Sequence, residues 1–312
     1  MRSSYSCRPR AAALGFLLTA GAAVQAAPPG DWPMYAHDLA GTRFSALREI
    51  DRNNVGSLTE AWTVPVARPP GGGDDAPGAA GNPQATPIVV DGVMYLPVRG
   101  HQVLALEADT GRELWRTTLP APLDSTARGV AYWPGDGKVA PRILLTAAAT
   151  LVALDARTGA PVEGFGTHGV AQIGVPWNGV PLIFADRAIL GATTGEVALA
   201  EPGDTRAFDV RTGKLEWTFH TVPLPGERGH DSWLDQGWRN RSGVNVWAWY
   251  MTLDERRGAL YMPVGSAAGN YWGGDRPGAN LFGNSIVAVD ARTGRYLWHF
   301  QTVHHDLWDL DI

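Results

Sequence analysis

Residues 288–298 read A-V-D-A-R-T-G-R-Y-L-W, and this pattern occurs four times along the chain. The other copies are A-L-E-A-D-T-G-R-E-L-W at 105–115, A-L-D-A-R-T-G-A-P-V-E-G-F at 153–165 and A-F-D-V-R-T-G-K-L-E-W at 207–217. The shared frame is A-x-[DE]-x-x-T-G-x-x-x-W, except that the second copy has its aromatic residue shifted to Phe165. A frame that recurs in this way indicates a repeat architecture.

Each position of the frame has a structural role. The small Ala suits the inward side of a strand, and the acid can accept hydrogen bonds from the backbone amides of a tight turn. The Gly of Thr-Gly accepts a positive φ at no steric cost. The following strand ends in Trp, which is large enough to pack against a neighbouring unit. Ala61-Trp62 matches the tail of a further, degenerate unit.

The spacing of the copies predicts the size of each unit. The four Ala residues that begin the frame are 48, 54 and 81 residues apart, and such intervals hold about four short strands, the size of a propeller blade. The string P-I-V-V-D-G-V-M-Y-L-P at 87–97 predicts a hairpin around Asp91-Gly92. The longest interval must carry an inserted loop within 226–245. We expect an all-β fold, a β-propeller with about four to five blades in this chain; a β-sandwich array is the alternative.

Composition narrows the functional classes. The chain has 312 residues, 45% of them hydrophobic, and a formal net charge of −5 without a basic stripe, which argues against nucleic acid as a partner. The one cysteine, Cys7, lies near the N-terminus. We therefore expect no disulfide framework, no CxxCH haem site and no cysteine-based metal site in the mature chain.

The N-terminus has the pattern of a secretory signal peptide. Three arginines precede an uncharged apolar run at 11–24, and a small-x-small cleavage site ends at Ala26. A membrane anchor is the alternative, but the run is shorter than the roughly 20 residues that a spanning helix needs. We expect residues 1–26 to be removed and 27–312 to form the mature propeller domain, which has no integral membrane segment.

The C-terminal end predicts an incomplete ring. Fourteen residues follow the last repeat and end at Ile312 in mid-pattern. A propeller must close its ring to remove exposed sheet edges. We therefore expect this chain to be an N-terminal fragment of a longer protein that cannot turn over substrate alone.

The frame resembles the tryptophan-docking motif of PQQ-dependent (quinoprotein) dehydrogenases, which are eight-bladed propellers that hold pyrroloquinoline quinone (PQQ) and Ca²⁺. Non-catalytic propellers of the bacterial envelope carry related repeats, so further strings are needed to tell the two apart. The matching strings are D-W-P-M-Y-A-H-D (31–38), G-T-R-F-S (41–45), A-R-G-V-A-Y-W-P-G (127–135), G-E-V (195–197), P-G-D-T-R-A-F-D (202–209) and Q-T-V-H-H-D-L-W-D (301–309). Together with Y-W-G-G-D-R at 271–276, they are most similar to the glucose, quinate and polyol branch.

The resemblance implies a periplasmic oxidoreductase. Such an enzyme oxidises a sugar, polyol or other alcohol by hydride transfer to PQQ with the help of Ca²⁺, and passes electrons to ubiquinone or a cytochrome. At the position of Asp309 the family has its catalytic carboxylate, which also contacts calcium. Read without the resemblance, Asp306, Asp309 and Asp311 are simply an acidic turn cluster.

Four other residues match cofactor positions of the family. Glu196 corresponds to the glutamate that binds calcium beside PQQ, and Ca²⁺ prefers such hard oxygen ligands. Arg128 corresponds to an arginine that contacts PQQ, whose carboxylates suit a guanidinium. Trp247 corresponds to the tryptophan on which PQQ stacks, with Trp249 as a competitor. Gln84 stands where the family often has a glutamate and remains able to hydrogen-bond PQQ. The alternatives are surface roles for Glu196 and Arg128 and a core role for Trp247.

The sequence departs from the family in two further places. Residues 124–127 lack the adjacent cysteines that many alcohol-oxidising relatives carry above PQQ. Ser266 follows Gly265 where methanol-type enzymes have a calcium-binding asparagine, and Asn270 comes four residues later, so the third metal ligand stays unassigned. The neighbouring His304 and His305 are more simply read as solvated or supporting residues than as ligands.

The rival interpretation is a non-catalytic envelope propeller that binds partner proteins. Such a protein would keep the repeats but need none of Asp309, Glu196, Arg128 and Trp247. All four are present in matching strings, which favours the enzyme.

Overall fold

The structure of the protein is a computed structural model. It describes residues 30–65, 84–98, 102–119, 128–195, 197, 201–240, 243–246, 251–269 and 271–310. The predicted signal peptide at 1–26 lies outside the described residues, as does the Pro/Gly-rich connection at 67–83.

Within these ranges, sixteen strands form four antiparallel sheets of four strands each, in chain order. The bounds are β1 Ile88–Val90, β2 Val93–Val98, β3 Gln102–Glu107 and β4 Glu113–Thr118 in the first sheet; β5 Ala131–Trp133, β6 Arg142–Ala147, β7 Thr150–Asp155 and β8 Val170–Gln172 in the second; β9 Leu182–Phe184, β10 Arg187–Leu190, β11 Thr205–Asp209 and β12 Leu215–Phe219 in the third; and β13 Thr252–Asp254, β14 Ala259–Val264, β15 Ser285–Asp290 and β16 Tyr296–Gln301 in the fourth. The prediction of an all-β fold is confirmed.

Strand order within each sheet decides where the loops lie. Consecutive strands are antiparallel neighbours. One end of each sheet therefore holds the start of the first strand, the end of the second, the start of the third and the end of the fourth. We call this the site end of a sheet. The D-x-x-T-G turn joins the third strand to the fourth, so it lies at the opposite end.

The turn of the frame forms as its sequence predicts. Asp155 Oδ1 accepts hydrogen bonds from the amides of Arg157 and Thr158 at 3.0 and 2.9 Å, and Asp209 and Asp290 make the equivalent bonds. The four glycines of the frame have φ between 69 and 72°, in the left-handed region. The Ala residues that begin the frame, at 105, 153, 207 and 288, are completely buried.

The hairpin at Asp91-Gly92 is also present. Val90 pairs with Val93 across the turn, and Asp91 and Gly92 have φ of 50° and 75°. Positive φ at both central residues is the conformation that matches the twist of the flanking strands, and Asp and Gly adopt it more readily than most residues.

Tryptophans of the frame contact the turn of the next sheet along the chain. Trp115 Nε1 donates to the Ala156 carbonyl at 3.0 Å, and Trp217 Nε1 donates to the Ala291 carbonyl at 3.2 Å. Trp62 makes the same bond to Ala108 at 3.1 Å. In each case the ring also lies against the glycine of that turn. Trp115 and Trp217 therefore join neighbouring sheets, and Trp62 joins the segment at 58–65 to the first sheet.

The junction between the second and third sheets lacks the tryptophan of the frame and is built differently, although Trp133 of β5 donates across it through Nε1 to the Ala185 carbonyl at 3.0 Å. Phe165, which replaces the tryptophan, is completely buried and lies near Gly213. The side chain of Arg142, also buried, donates through Nη1 to the carbonyls of Val210 and Arg211, both at 2.6 Å. Val210 occupies the frame position of Ala108, Ala156 and Ala291. At the other junctions the indole provides both the ring against the glycine and the hydrogen bond to the carbonyl. Here Phe165 provides the ring and Arg142 provides the hydrogen bond.

The long interval before the fourth sheet carries the predicted insertion. It holds a single-turn 3₁₀ helix at His230–Ser232 and the short helix α1 at Gly237–Asn240. Trp233 anchors it, since this residue is buried and donates through Nε1 to the Leu281 carbonyl at 2.6 Å. Among the described residues, no helix has the length and apolar character to cross a bilayer.

Candidate functional site

The candidate site lies on a series of loops at the site ends of the four sheets. Residues 84–86 and 128–130 precede the first strands of sheets one and two, and they meet directly. Thr86 N donates to the Arg128 carbonyl at 2.8 Å, and Thr86 forms an isolated parallel β-bridge with Gly129. The structure therefore brings the segments of Gln84 and Arg128 side by side, with Gln84 exposed and Arg128 half-buried.

The second contact joins the Arg128 segment to the third sheet. Arg128 N donates to the Asn178 carbonyl at 3.2 Å. Thr193 Oγ1 then donates to Asn178 Oδ1 at 3.2 Å. Thr193 belongs to the segment 191–195, which follows β10 and leads directly to position 196.

The third contact joins this segment to the loop before the fourth sheet. Asn245 Nδ2 donates to the Ala192 carbonyl at 2.7 Å, and Thr194 Oγ1 donates to the Gly243 carbonyl at 3.2 Å. Glu196 and Trp247 themselves lie outside the described residues. Both of these predicted site residues nevertheless come next to segments that the structure holds together.

The fourth contact reaches the segment of Asp309. Gly265 N donates to the Asn245 carbonyl at 2.9 Å, which places the end of β14 beside the 243–246 loop. The next residue, Ser266, donates through Oγ to Asp306 Oδ2. Ser266, at the position where methanol-type enzymes have a calcium-binding asparagine, is thus in contact with the loop that follows β16.

Asp306 is the centre of that loop. Its side chain is buried, and it accepts hydrogen bonds from Trp308 N at 3.0 Å and Leu310 N at 2.9 Å. Asn284 Nδ2 donates to Asp306 Oδ2 at 3.1 Å. Burial opposes ionisation of Asp306, but the bonds from Ser266, the two amides and Asn284 outweigh it and hold the pKa of this carboxyl below its usual value.

Asp309 differs from Asp306 in its surroundings. It is half-buried rather than buried, and its backbone has a φ of 59°. The two acids are thus distinct in environment, whereas the sequence presents them as members of one acidic cluster. Of the two histidines nearby, His304 is exposed, and His305 Nδ1 lies 3.2 Å from Asn280 Oδ1.

Sequence reasoning missed two residues that shape this loop. Arg276 is almost completely buried, and it donates through Nη2 to the Asp306 carbonyl at 2.5 Å and through Nη1 to Asn280 Oδ1 at 2.9 Å. Asn284 has a φ of 50° and also donates to the Leu310 carbonyl at 2.8 Å. The string Y-W-G-G-D-R contains Arg276, but only its burial shows that it supports the loop.

The donor set of these loops fits PQQ and Ca²⁺. The loops of the first two sheets carry Gln84 and Arg128, whose amide and guanidinium suit the carboxylates of PQQ. The loops of the fourth sheet carry Ser266 and Asp309, whose oxygen atoms are of the hard type that Ca²⁺ prefers. No cluster of three His, Cys, Asp or Glu side chains that could hold a metal is present in the described part of the chain; Glu196, a predicted ligand, is outside it.

Comparison with known proteins identifies the family. Residues 32–312 match the family model described as the PQQ glucose/ethanol/alcohol dehydrogenase β-propeller domain. Quinate/shikimate dehydrogenase (quinone) of Acinetobacter baylyi is 32% identical over 90% of this chain and 38% of its own length. Quinoprotein glucose dehydrogenase of Escherichia coli is 33% identical over 90% of this chain and 38% of its own.

A solved structure agrees with these matches. The quinohemoprotein alcohol dehydrogenase of Pseudomonas putida HK5 superposes with a TM-score of 0.72 at 31% identity, covering 90% of this chain and 41% of its own. The chain therefore spans about two fifths of the length of the relatives it matches. With the family model covering nearly all of it, the chain belongs to the family of β-propeller domains of PQQ-dependent glucose, ethanol and alcohol dehydrogenases.

Proposed function

We propose that this chain is part of a periplasmic, PQQ-dependent dehydrogenase that oxidises the CH–OH group of a sugar, polyol or alcohol. The observation that carries the proposal is the series of hydrogen bonds at the site ends of the four sheets. It joins the segments of Gln84, Arg128, Glu196, Trp247 and Asp309, five residues that are far apart in sequence. These are the segments in which the matching strings place the cofactor-binding and catalytic residues of the family.

The tertiary contacts of the frame support a closed ring in the whole protein. Where the frame retains its tryptophan, two described sheets are joined in the same way. The indole N–H donates to a carbonyl of the next sheet, and the indole ring lies against the glycine of its turn. In this proposal, repetition of that contact closes an eight-bladed ring in the full-length protein. We propose that these are the docking contacts of such a ring, with residues 27–312 as part of it.

The residues have separable roles in the proposed mechanism. When bound, PQQ supplies the hydride acceptor, and Ca²⁺ polarises its reactive carbonyl. Arg128 and Gln84 would bind the polar groups of the cofactor, and Trp247 would stack on its ring. Glu196 and Asp309 would hold the metal.

Asp309 also acts on the substrate. Removal of hydride from a carbinol carbon requires that the hydroxyl proton leave, and a carboxylate within hydrogen-bond reach accepts it. The half-buried position of Asp309, in a loop held from both sides, suits a base that must be reached by substrate. The electron acceptor in this proposal is ubiquinone or a cytochrome; a quinone is supported by the A. baylyi relative, a quinate/shikimate dehydrogenase (quinone).

The test uses the complete gene product loaded with PQQ and Ca²⁺. D-glucose, quinate and ethanol are assayed with an artificial acceptor dye, before and after Ca²⁺ is removed with a chelator and restored. The variant Asp309→Asn keeps the shape of the side chain but removes the base, and we expect kcat to fall by about 10²- to 10⁴-fold. The control Asp290→Asn changes an acid at the opposite end of the fourth sheet.

Two results would overturn the proposal. One is wild-type turnover in Asp309→Asn. The other is a complete protein that binds no PQQ with or without Ca²⁺, which would support a non-catalytic propeller instead.

A further inference from the structure

We infer that Asp306 is a positioning residue that fixes the Asp309 carboxylate at the site. This inference rests on the proposed function, because it concerns how the proposed base is held. Asp306 itself is turned into the protein and is 2% exposed, so its role is carried through the backbone of the loop rather than through contact with substrate.

The geometry of the loop supports this role. The amides on either side of Asp309, those of Trp308 and Leu310, both donate to the Asp306 carboxylate, one to each oxygen. The Leu310 carbonyl is held in turn by Asn284 Nδ2. Asp309 therefore lies between two fixed peptide groups, and the position of its Cα follows from that of Asp306.

The backbone conformation of Asp309 explains why such support is needed. Its φ of 59° lies in the left-handed region, which is unfavourable for a residue with a Cβ. A free loop would relax to an ordinary conformation and turn the side chain elsewhere. Strained residues at functional sites persist only where their surroundings over-determine them.

The Asp306 end of the loop is anchored as firmly. Ser266 and Asn284 both donate to Asp306 Oδ2, and Arg276 donates to its backbone carbonyl. Ser266 lies two residues after the end of β14, Asn284 immediately precedes β15, and Arg276 lies between them in the chain. Asp306 thus links the loop that carries Asp309 to residues at the ends of β14 and β15.

A double-mutant cycle in the complete, PQQ-loaded protein tests this inference. Asp306→Asn can accept only one of the two amides, because its NH₂ group faces the other. We expect kcat to fall by about 10- to 100-fold, since small misplacements of a reacting group are costly, while KM for the test alcohol changes by less than about threefold. The double variant Asp306→Asn/Asp309→Asn should lose no more activity than Asp309→Asn alone.

Calcium affinity gives a readout that does not depend on turnover. If Asp309 is a ligand whose place Asp306 sets, the Kd for Ca²⁺ measured by titration calorimetry with PQQ present should rise by about tenfold in Asp306→Asn. The same Kd should not rise further in the double variant than in Asp309→Asn. The control Asp290→Asn, which removes an acid that also caps two amides, should leave kcat and Kd unchanged even if it lowers the Tm.

The outcomes separate the inference from the proposed function. If Asp309→Asn is inactive but Asp306→Asn has wild-type kcat and Ca²⁺ affinity, or if the two losses add, the inference is overturned and the proposed function stands. Wild-type activity in Asp309→Asn overturns the proposed function itself. Should Asp306→Asn fail to fold, Asn284→Gly takes its place, since glycine accepts the φ of 50° at that position and the change removes the bonds to Asp306 and Leu310. Because the two amide bonds to Asp306 remain, we expect a smaller fall in kcat, of about three- to tenfold, which again should not add to the loss in Asp309→Asn.

Discussion

Arg142 donates a hydrogen bond of 2.6 Å to the carbonyl of Val210, 68 residues further along the chain. At Ala156 and Ala291, the other two junctions between described sheets, an indole N–H makes the corresponding bond, as Trp62 does to Ala108 of the first sheet. The guanidinium therefore replaces the tryptophan at the one described junction whose repeat has none, and Phe165 supplies the missing ring.

We expect Arg142→Met to destabilise the protein by about 2–3 kcal/mol, because the buried carbonyl of Val210 and that of Arg211 lose their donor. Chemical denaturation of the complete protein measures the change in the free energy of unfolding. Arg116→Met is the matched control, since Arg116 bonds only to Glu113 and Gln102 on the exposed face of β4 and should change stability by less than about 0.5 kcal/mol. Equal effects in the two variants would show that Arg142 is not a junction residue.

The glycine of the repeat frame is expected to be irreplaceable for two separate reasons. Gly294 has a φ of 70°, and a Cβ there would lie 2.7 Å from the Trp217 ring. Gly137 has a φ of 82° but open space around it. Gly294→Ala should thus cost about 1–3 kcal/mol more than Gly137→Ala, the difference being the clash with the neighbouring sheet. Thermal unfolding of both variants checks this, and similar Tm values would contradict it.

Acid stability should depend in part on Asp136. Backbone amides of Val139 and Lys138, followed by the Arg211 guanidinium of the next sheet, lower the pKa of Asp136 to about 2. Because this pKa is lower in the folded state than in the unfolded state, the ionised carboxylate stabilises the folded protein at pH values above the unfolded pKa of about 3.8. That contribution disappears as the pH falls through the folded pKa of about 2. Asp136→Asn should be less stable than the wild type at pH 6, with the gap narrowing below pH 4. Denaturant unfolding at pH 6, 4 and 3 measures it, and a gap independent of pH would refute the assignment.

Arg128 should matter for cofactor binding through the shape of its side chain as well as its charge. Arg128→Lys keeps the charge but loses the planar fork that binds carboxylates in two places. We expect the Kd for PQQ to rise by at least about tenfold, which corresponds to one charged hydrogen bond. Titration of PQQ by absorbance measures it, with Arg116→Lys as the control. An unchanged Kd would remove Arg128 from the cofactor site.

Part of the candidate site was accessible from sequence and part was not. The strings around Gln84, Arg128 and Asp309 fall on loops that the structure joins through backbone and side-chain hydrogen bonds, although those residues' roles in chemistry remain predictions. The supporting residues were not foreseen. Nothing near Asn284 or Arg276 in sequence connects them with Asp306, because their contacts span 22 and 30 residues and follow no repeat.

The sequence by itself determined the features that depend only on interactions between residues close together in the chain. The D-x-x-T-G turn, the Asp91-Gly92 hairpin and the alternation of strands depend on backbone conformations and hydrogen bonds between near neighbours, so a short string specifies them. Only the tertiary structure decided that Arg142 takes the place of a tryptophan and that Asp306, rather than Asp309, is the buried acid. Those outcomes depend on which groups meet where the sheets and their loops contact one another. Buried polar groups there form hydrogen bonds with whichever partner the folded chain brings near.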